Sequence, residues 1–354
     1  MNRKRASVTA AVAGTVVGVA GLAVLAMPAS AGSAPVLPAV SAEQLVQSVL
    51  TTKSVPAFAG TVRGTNNLGL PSVPGLGEAG KFLANSSAEV RIWSDGEGRG
   101  KLELPSNSGS ESIVYDGKTL WDWKSSDHTV RKSEQSPAEH REHPQAASDP
   151  ATAAKQIIEL ISKDSTVKVD GTATVAGRSV YQLVLAPKPS ERTMLREVRI
   201  SVDAETKLPL QLSVYGNGSA DPVLQIGFSE LTIGAQDASL FQFTPPANAT
   251  VTTAEPKQDK AKDFPGDAAS KTVGEGWDTV LVGKLPTTGA TDKSGRSQDP
   301  MALLKQIAKP VSGAWGSGYT IGASIGNAVV TQDGRYAVGA VPLQVLTNAL
   351  EQSK

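Results

Sequence analysis

No cysteine occurs in the 354 residues. This excludes disulfides, thiolate nucleophiles, cysteine-based metal sites and acylation on an N-terminal cysteine. Histidine is scarce, with three residues, and the aromatics are five Trp, five Tyr and six Phe. An excess of one charge is also missing: 34 Lys and Arg balance 34 Asp and Glu. Such a chain builds no basic field, so nucleic acid is not an expected partner. There is no fixed-period repeat, which argues against solenoids and propellers. Long apolar runs are missing too, with one exception at the N-terminus.

That exception begins MNRKR, with Arg3, Lys4 and Arg5 as a positive cluster. Ala6 to Met27 carry no charge, Pro28 breaks the run, and Ala29-Ser30-Ala31 is a small-x-small site. The order is that of a secretory signal peptide over residues 1–31, with cleavage expected after Ala31. The apolar run of 22 residues is also long enough to span a bilayer, so an uncleaved anchor is the alternative. Either way the remainder is expected outside the cytoplasm. Without the leader's three cations the chain is about −3. It has 34 Gly and 22 Pro and is rich in Ser, Thr, Val and Ala, which favours short strands and turns over a helical bundle.

Ser41 to Thr52 predicts a helix: Ser41 can cap, Gln44 completes a capping box, and Leu45, Val46, Val49 and Leu50 form one stripe. Strand signals follow. In EVRIWS, Val90 and Ile92 share a face; in KLELP, Leu102 and Leu104 do. Asp116-Gly117 marks a hairpin tip inside ESIVYDGKTLWDWK. Residues 135–148 read as a polar loop. Asp149 and Pro150 then open a second helix whose apolar face is Ile157, Ile158, Leu160 and Ile161. Four strand segments follow to about residue 233, and in VRISVD the residues Val198, Ile200 and Val202 alternate with polar ones. Residues 252–272 are charged and Pro-containing, a linker. From 273 to 354 a small unit is expected: a strand in WDTVLVGKL, a helix in MALLKQIAK, strands from YTIGASIG, a hairpin turning at Asp333-Gly334, and a last helix in PLQVLTNALE.

The sequence contains no nucleophile elbow, phosphate loop or dinucleotide fingerprint in strand-to-helix context. Glu139, His140, Glu142 and His143 lie close together, but their spacing matches no zinc motif and reads as a solvated loop. Asp116, Asp203 and Asp333 sit in turn sequences. No enzyme, cofactor or metal is expected. What remains is a one-faced sheet of ten or so strands with two short helices. At ~1.5 Å of helix per residue against ~4.8 Å per strand, the helices cannot cover it. A curved sheet with helices on its concave side would leave an apolar cavity suited to a lipid or acyl chain, although long loops would satisfy the same accounting.

Residues 41–251 resemble the LolA/LolB lipoprotein-carrier superfamily, which includes the N-terminal domain of RseB/MucB-type sigma-factor regulators and mycobacterial lipid carriers. The residues that carry the resemblance are SAEQLVQSVL followed by FAGTVRGT, the hairpin YDGKTLWDW, the segment VRISVDAETKLPLQLSVY and the closing SLFQFTPPANATV. It implies an α+β fold: a curved antiparallel sheet, an unclosed β-barrel, with a helical lid over a hydrophobic cavity. The positions implied to line that cavity are Val90, Ile92, Leu102, Leu104, Val198, Ile200, Leu210 and Leu212, with Ile157, Ile158 and Ile161 from the lid. Trp121 and Trp123 share a strand face and belong either at the cavity mouth or in ordinary packing. No arginine stands out as the latch between lid and barrel. The small α/β C-terminal unit is additional, and its NAVVTQDGRYAVGAVP resembles the C-terminal domain of RseB-like regulators and related actinobacterial proteins. Two functions follow as expectations for a monomer: a carrier of lipids or lipoprotein acyl chains, or a regulator that binds a membrane anti-sigma factor or sensor.

Overall fold

The structure is a computed structural model that describes residues 34–52, 55–69, 89–106, 109–134, 158–253, 270–285 and 308–353. The signal segment, the 135–148 loop, Ile157, most of the linker and most of the MALLKQIAK segment lie outside the described residues. Among the described residues no helix is long and apolar enough to cross a membrane.

Helix α1 (Ala42–Thr51) begins as expected. Ser41 Oγ accepts from the Gln44 amide at 3.2 Å, and Gln44 Oε1 accepts from the Ser41 amide at 2.8 Å, which satisfies two otherwise unpaired donors. Its apolar stripe turns inward on Leu45, 2% exposed.

Twelve strands then form one sheet: β1 (Phe58–Asn66), β2 (Glu89–Ser94), β3 (Gly100–Ser106), β4 (Gly109–Tyr115), β5 (Thr119–Lys124), β6 (Thr129–Glu134), β7 (Ser165–Val175), β8 (Arg178–Pro187), β9 (Leu195–Asp203), β10 (Pro209–Gly216), β11 (Leu224–Ile233) and β12 (Thr250–Thr253). Their order is β12-β6-β5-β4-β3-β2-β1-β11-β10-β9-β8-β7. Two meanders, β1 to β6 and β7 to β11, are welded by the β1–β11 pair. The edges β12 and β7 do not pair with each other, so the sheet is curved and unclosed. Pairing is antiparallel except at one edge, where β12 lies parallel to β6.

Register shifts between Thr61 and Val62, between Val169 and Thr172 and between Pro209 and Gln211 mark bulges, which bend and twist a sheet. Curvature also needs close approach. A Cβ on Gly60 would stand 2.7 Å from the Phe228 ring, so only glycine lets that ring lie across β1, where it meets Phe58 edge-on at 5.8 Å.

A second sheet holds β13 (Lys271–Val273), β14 (Val280–Lys284), β15 (Lys309–Gly313), β16 (Gly316–Ala323), β17 (Gly326–Thr331) and β18 (Arg335–Gly339), ordered β13-β14-β18-β17-β16-β15. Helix α2 (Leu343–Gln352) packs Leu346, Ala349 and Leu350 on Val280, Val282, Val329 and Ala337 of one face. Strand β15 lies where no strand is expected from the sequence; its Pro310 is tolerated because β15 is at the sheet edge. Strands also run into both ends of the expected linker, through Thr253 in β12 and from Lys271 in β13.

The two sheets touch through polar contacts. Met194 N and Thr193 Oγ1 both donate to the Ala340 carbonyl, at 2.8 and 2.7 Å. Trp277 Nε1 donates to Ser165 Oγ at 2.7 Å, and the Trp277 amide to Glu191 Oε2 at 2.9 Å.

Candidate functional site

Cross-strand partners in a ladder point to the same side, so the registers map each face. One face carries the rows Leu183–Ile200–Leu212–Ile226 and Leu185–Val198–Val214–Leu224. Farther along it come Val62–Val90 and the row Ile92–Leu102–Ile113–Asp122–Arg131. Helix α1 and Ile158 sit on the β7–β9 end of this face, where Ala42, Leu45 and Ile158 cluster with Tyr181, Leu183 and Val202, flanked by Ile200. The segment that precedes helix α1 is held there as well: Tyr181 Oη donates to the Pro38 carbonyl at 3.0 Å, and Thr172 Oγ1 to the Pro35 carbonyl at 2.6 Å.

Toward β2–β4 the same face opens into a groove of about 740 Å³, lined by Val55, Phe58, Ile92, Leu102, Ile113 and Tyr115 with the β2–β3 turn at its rim. The expected cavity residues are thus divided. Ile92 and Leu102 line the groove and pair across strands. Ile158 and Ile200 lie at the helix-covered end, and Ile161 is half-buried beside them in sequence. Val198 and Leu212 are half-buried on the same face, Val90 is 4% exposed, and Leu104 is half-buried opposite Glu111. Leu210 departs from the pattern. The shift between Pro209 and Gln211 turns it into a separate cluster with Val175 and Val180, so it does not join Leu212. Phe58, Ile113 and Tyr115 line the groove without having been among the expected positions. The signal was available for two of them, since Ile113 and Tyr115 alternate immediately before the Asp116-Gly117 turn.

Asp122 closes the apolar row on a carboxylate whose Oδ1 is buried and has no hydrogen-bond partner among the described residues. Burial raises its pKa, and the neighbouring Glu111 carboxylate raises it further; Lys124 and Arg131 act in the opposite sense.

Trp121 and Trp123 occupy the opposite face, paired with Val114 and Ser112. Trp121 stacks on Phe243 with centroids 5.6 Å apart, and its Nε1 donates to Asp116 Oδ2 at 3.1 Å. Phe241, 1% exposed, lies under the Arg99 guanidinium at 5.6 Å. Trp121 therefore packs against Phe243 and Trp123 against His128, with ring centroids 6.1 Å apart, both on the face opposite the groove. Among the described residues no group of three or more metal-ligating side chains occurs; His140 and His143 lie outside them.

Residues 126–255 match the family described as the MucB/RseB N-terminal domain, which is less than half of the chain. The resemblance read from the sequence is borne out over that span. No curated protein matches. Solved structures with likeness include the MucA/MucB complex of Pseudomonas aeruginosa, at 16% identity over 86% of this chain and 94% of that one, with a TM-score of 0.40. A LolA superfamily protein of Nitrosomonas europaea matches at 14% identity over 58% and 99%, TM-score 0.23. The lipoprotein LppX of Mycobacterium tuberculosis matches at 13% over 55% and 97%, TM-score 0.28.

Proposed function

We propose that this chain is an extracytoplasmic, non-catalytic binder of lipids or lipoprotein acyl chains, released after Ala31, with residues 41–251 as the binding unit and 273–354 as a second unit. The observation that carries this reading is the helix-bearing face, which continues past its helices into an open apolar groove at Ile92, Leu102 and Ile113. Burying an acyl chain there gains roughly 0.8 kcal/mol per methylene. The test is displacement of a fluorescent fatty-acid probe from purified protein. Leu102→Arg and Ile113→Arg are expected to abolish binding, whereas Ser112→Arg, on the opposite face, is expected to retain it. A wild-type protein that binds no probe and yields no lipid on extraction would overturn the carrier reading. Ile158→Arg and Ile200→Arg then ask whether the site extends beneath the helices.

The match to the MucB/RseB N-terminal domain supports a second reading, a regulator that binds a membrane anti-sigma factor or sensor. A pull-down from membrane fractions is expected to recover a single-pass partner with the full chain and to lose it when residues 273–354 are deleted.

A further inference from the structure

The edge of the large sheet at β6 is filled by an unusual strand. β12 has four residues, all of them exposed, and it supplies the sheet's one parallel pairing among the described residues. Parallel ladders are slightly weaker per residue than antiparallel ones, and four exposed residues bury almost nothing to hold them. Outside the ladder itself, the Thr250 amide donates to the His128 carbonyl at 2.8 Å and Thr252 Oγ1 to the Val130 carbonyl at 3.3 Å. Beneath this strand lies β6, firmly built in, with Val130 at 0% exposure and paired to Trp123.

We propose that the β6 edge is a strand-acceptor site, and that an extended segment of a partner protein adds there in place of residues 250–253. Main-chain hydrogen bonds would supply affinity and alternate side chains specificity, as in strand addition generally. The register states what the segment needs. Val251 lies beside Val130 and is 48% exposed, so an apolar residue fits that position and extends the Val130–Trp123 ledge. Thr252 lies beside Arg131, which is exposed and whose charge acts on its register partner Asp122 on the other side, with no hydrogen bond between the two among the described residues. An acidic residue there gains a charge partner.

This site is distinct from the groove, and acyl-probe binding measured on the same preparations reports on the groove alone. The lack of native cysteine allows a clean test. The double variant Thr129→Cys/Thr250→Cys joins two register partners and, when oxidised, holds β12 in place. Alternation of backbone direction puts the Thr252 amide toward β6, as the Thr250 amide is, so Thr252→Pro should unseat β12. The probes are two fluorescein-labelled peptides: Asn-Ala-Thr-Val-Thr-Thr-Ala-Glu, the sequence of residues 248–255, and its Thr252→Glu form. Fluorescence anisotropy is expected to show the reduced double variant and Thr252→Pro binding at least about tenfold tighter than the oxidised form. The glutamate peptide should bind more tightly than the threonine one, and Arg131→Ala should erase that preference. Equal affinity in the oxidised and reduced forms would overturn the proposal. So would failure of both opened forms to bind, given thermal melts that show them folded.

Discussion

Asp203 is 1% exposed yet ionised, because four donors converge on it: Arg178 Nε and Nη2 at 2.8 and 2.9 Å, and Thr206 N and Oγ1 at 2.7 and 2.6 Å. Burial opposes its ionisation, and these bonds outweigh burial and hold the pKa below the ordinary 3.8. From the sequence Asp203 reads as a turn residue; in the fold it also clamps β8 to the β9–β10 turn. Asp203→Asn takes the buried carboxylate from Arg178 and leaves it only the exposed Glu205, with an expected loss of about 2 kcal/mol in urea unfolding at pH 7. A depressed folded pKa stabilises above the ordinary value and fades as pH falls through the folded one, so the difference should shrink below about pH 4. Asp122 has the opposite sign. Its folded pKa is raised, so its carboxylate costs stability as pH rises. Asp122→Asn should be more stable than the parent at pH 7 and equal to it near pH 3, read by melting temperature at both values.

At the scale of elements, α1 was legible because a capping box and an apolar stripe are local signals. Leu45 carries most of its docking, and Leu45→Ala is expected to cost about 3 kcal/mol in the same unfolding experiment. The hairpins at Asp116-Gly117 and Asp333-Gly334 were legible for the same reason: φ values of 98° and 83° at Gly117 and Gly334 demand glycine. Strand β15 was not, since it contains Pro310, which a strand tolerates only at an edge, and edge position is set by the whole sheet. Leu210 was misplaced because alternation assumes an unbroken register, and a bulge is set by packing across several strands. The same holds for the tryptophans: period two says that Trp121 and Trp123 share a face, but only the strand register and the packing of Phe243 on Trp121 say which.

At the scale of the molecule, two sheets with separate apolar cores are joined by hydrogen bonds. Trp277 sets one of those joints through Ser165, itself 4% exposed. Trp277→Phe keeps an aromatic side chain but replaces the indole with a smaller phenyl ring and removes the donor, so a loss of at least about 1 kcal/mol is expected. Calorimetry should show it as an earlier melting transition, while a joint of no energetic consequence would leave the melt unchanged.

By itself the sequence determined the exclusions, the strand-rich class, the helix cap, the turn positions and the alternation of Val90 with Ile92 and of Val198 with Ile200. These depend on composition and on neighbours a few residues apart, where backbone preference and side-chain period act directly. Only the tertiary structure decided which strands are neighbours, where the bulges fall, which part of the apolar face the helices leave open, and that β12 runs parallel along β6. Those outcomes depend on pairings between residues far apart in the chain, such as Phe58 with Ile233 and Thr250 with Thr129, for which no local pattern carries the register.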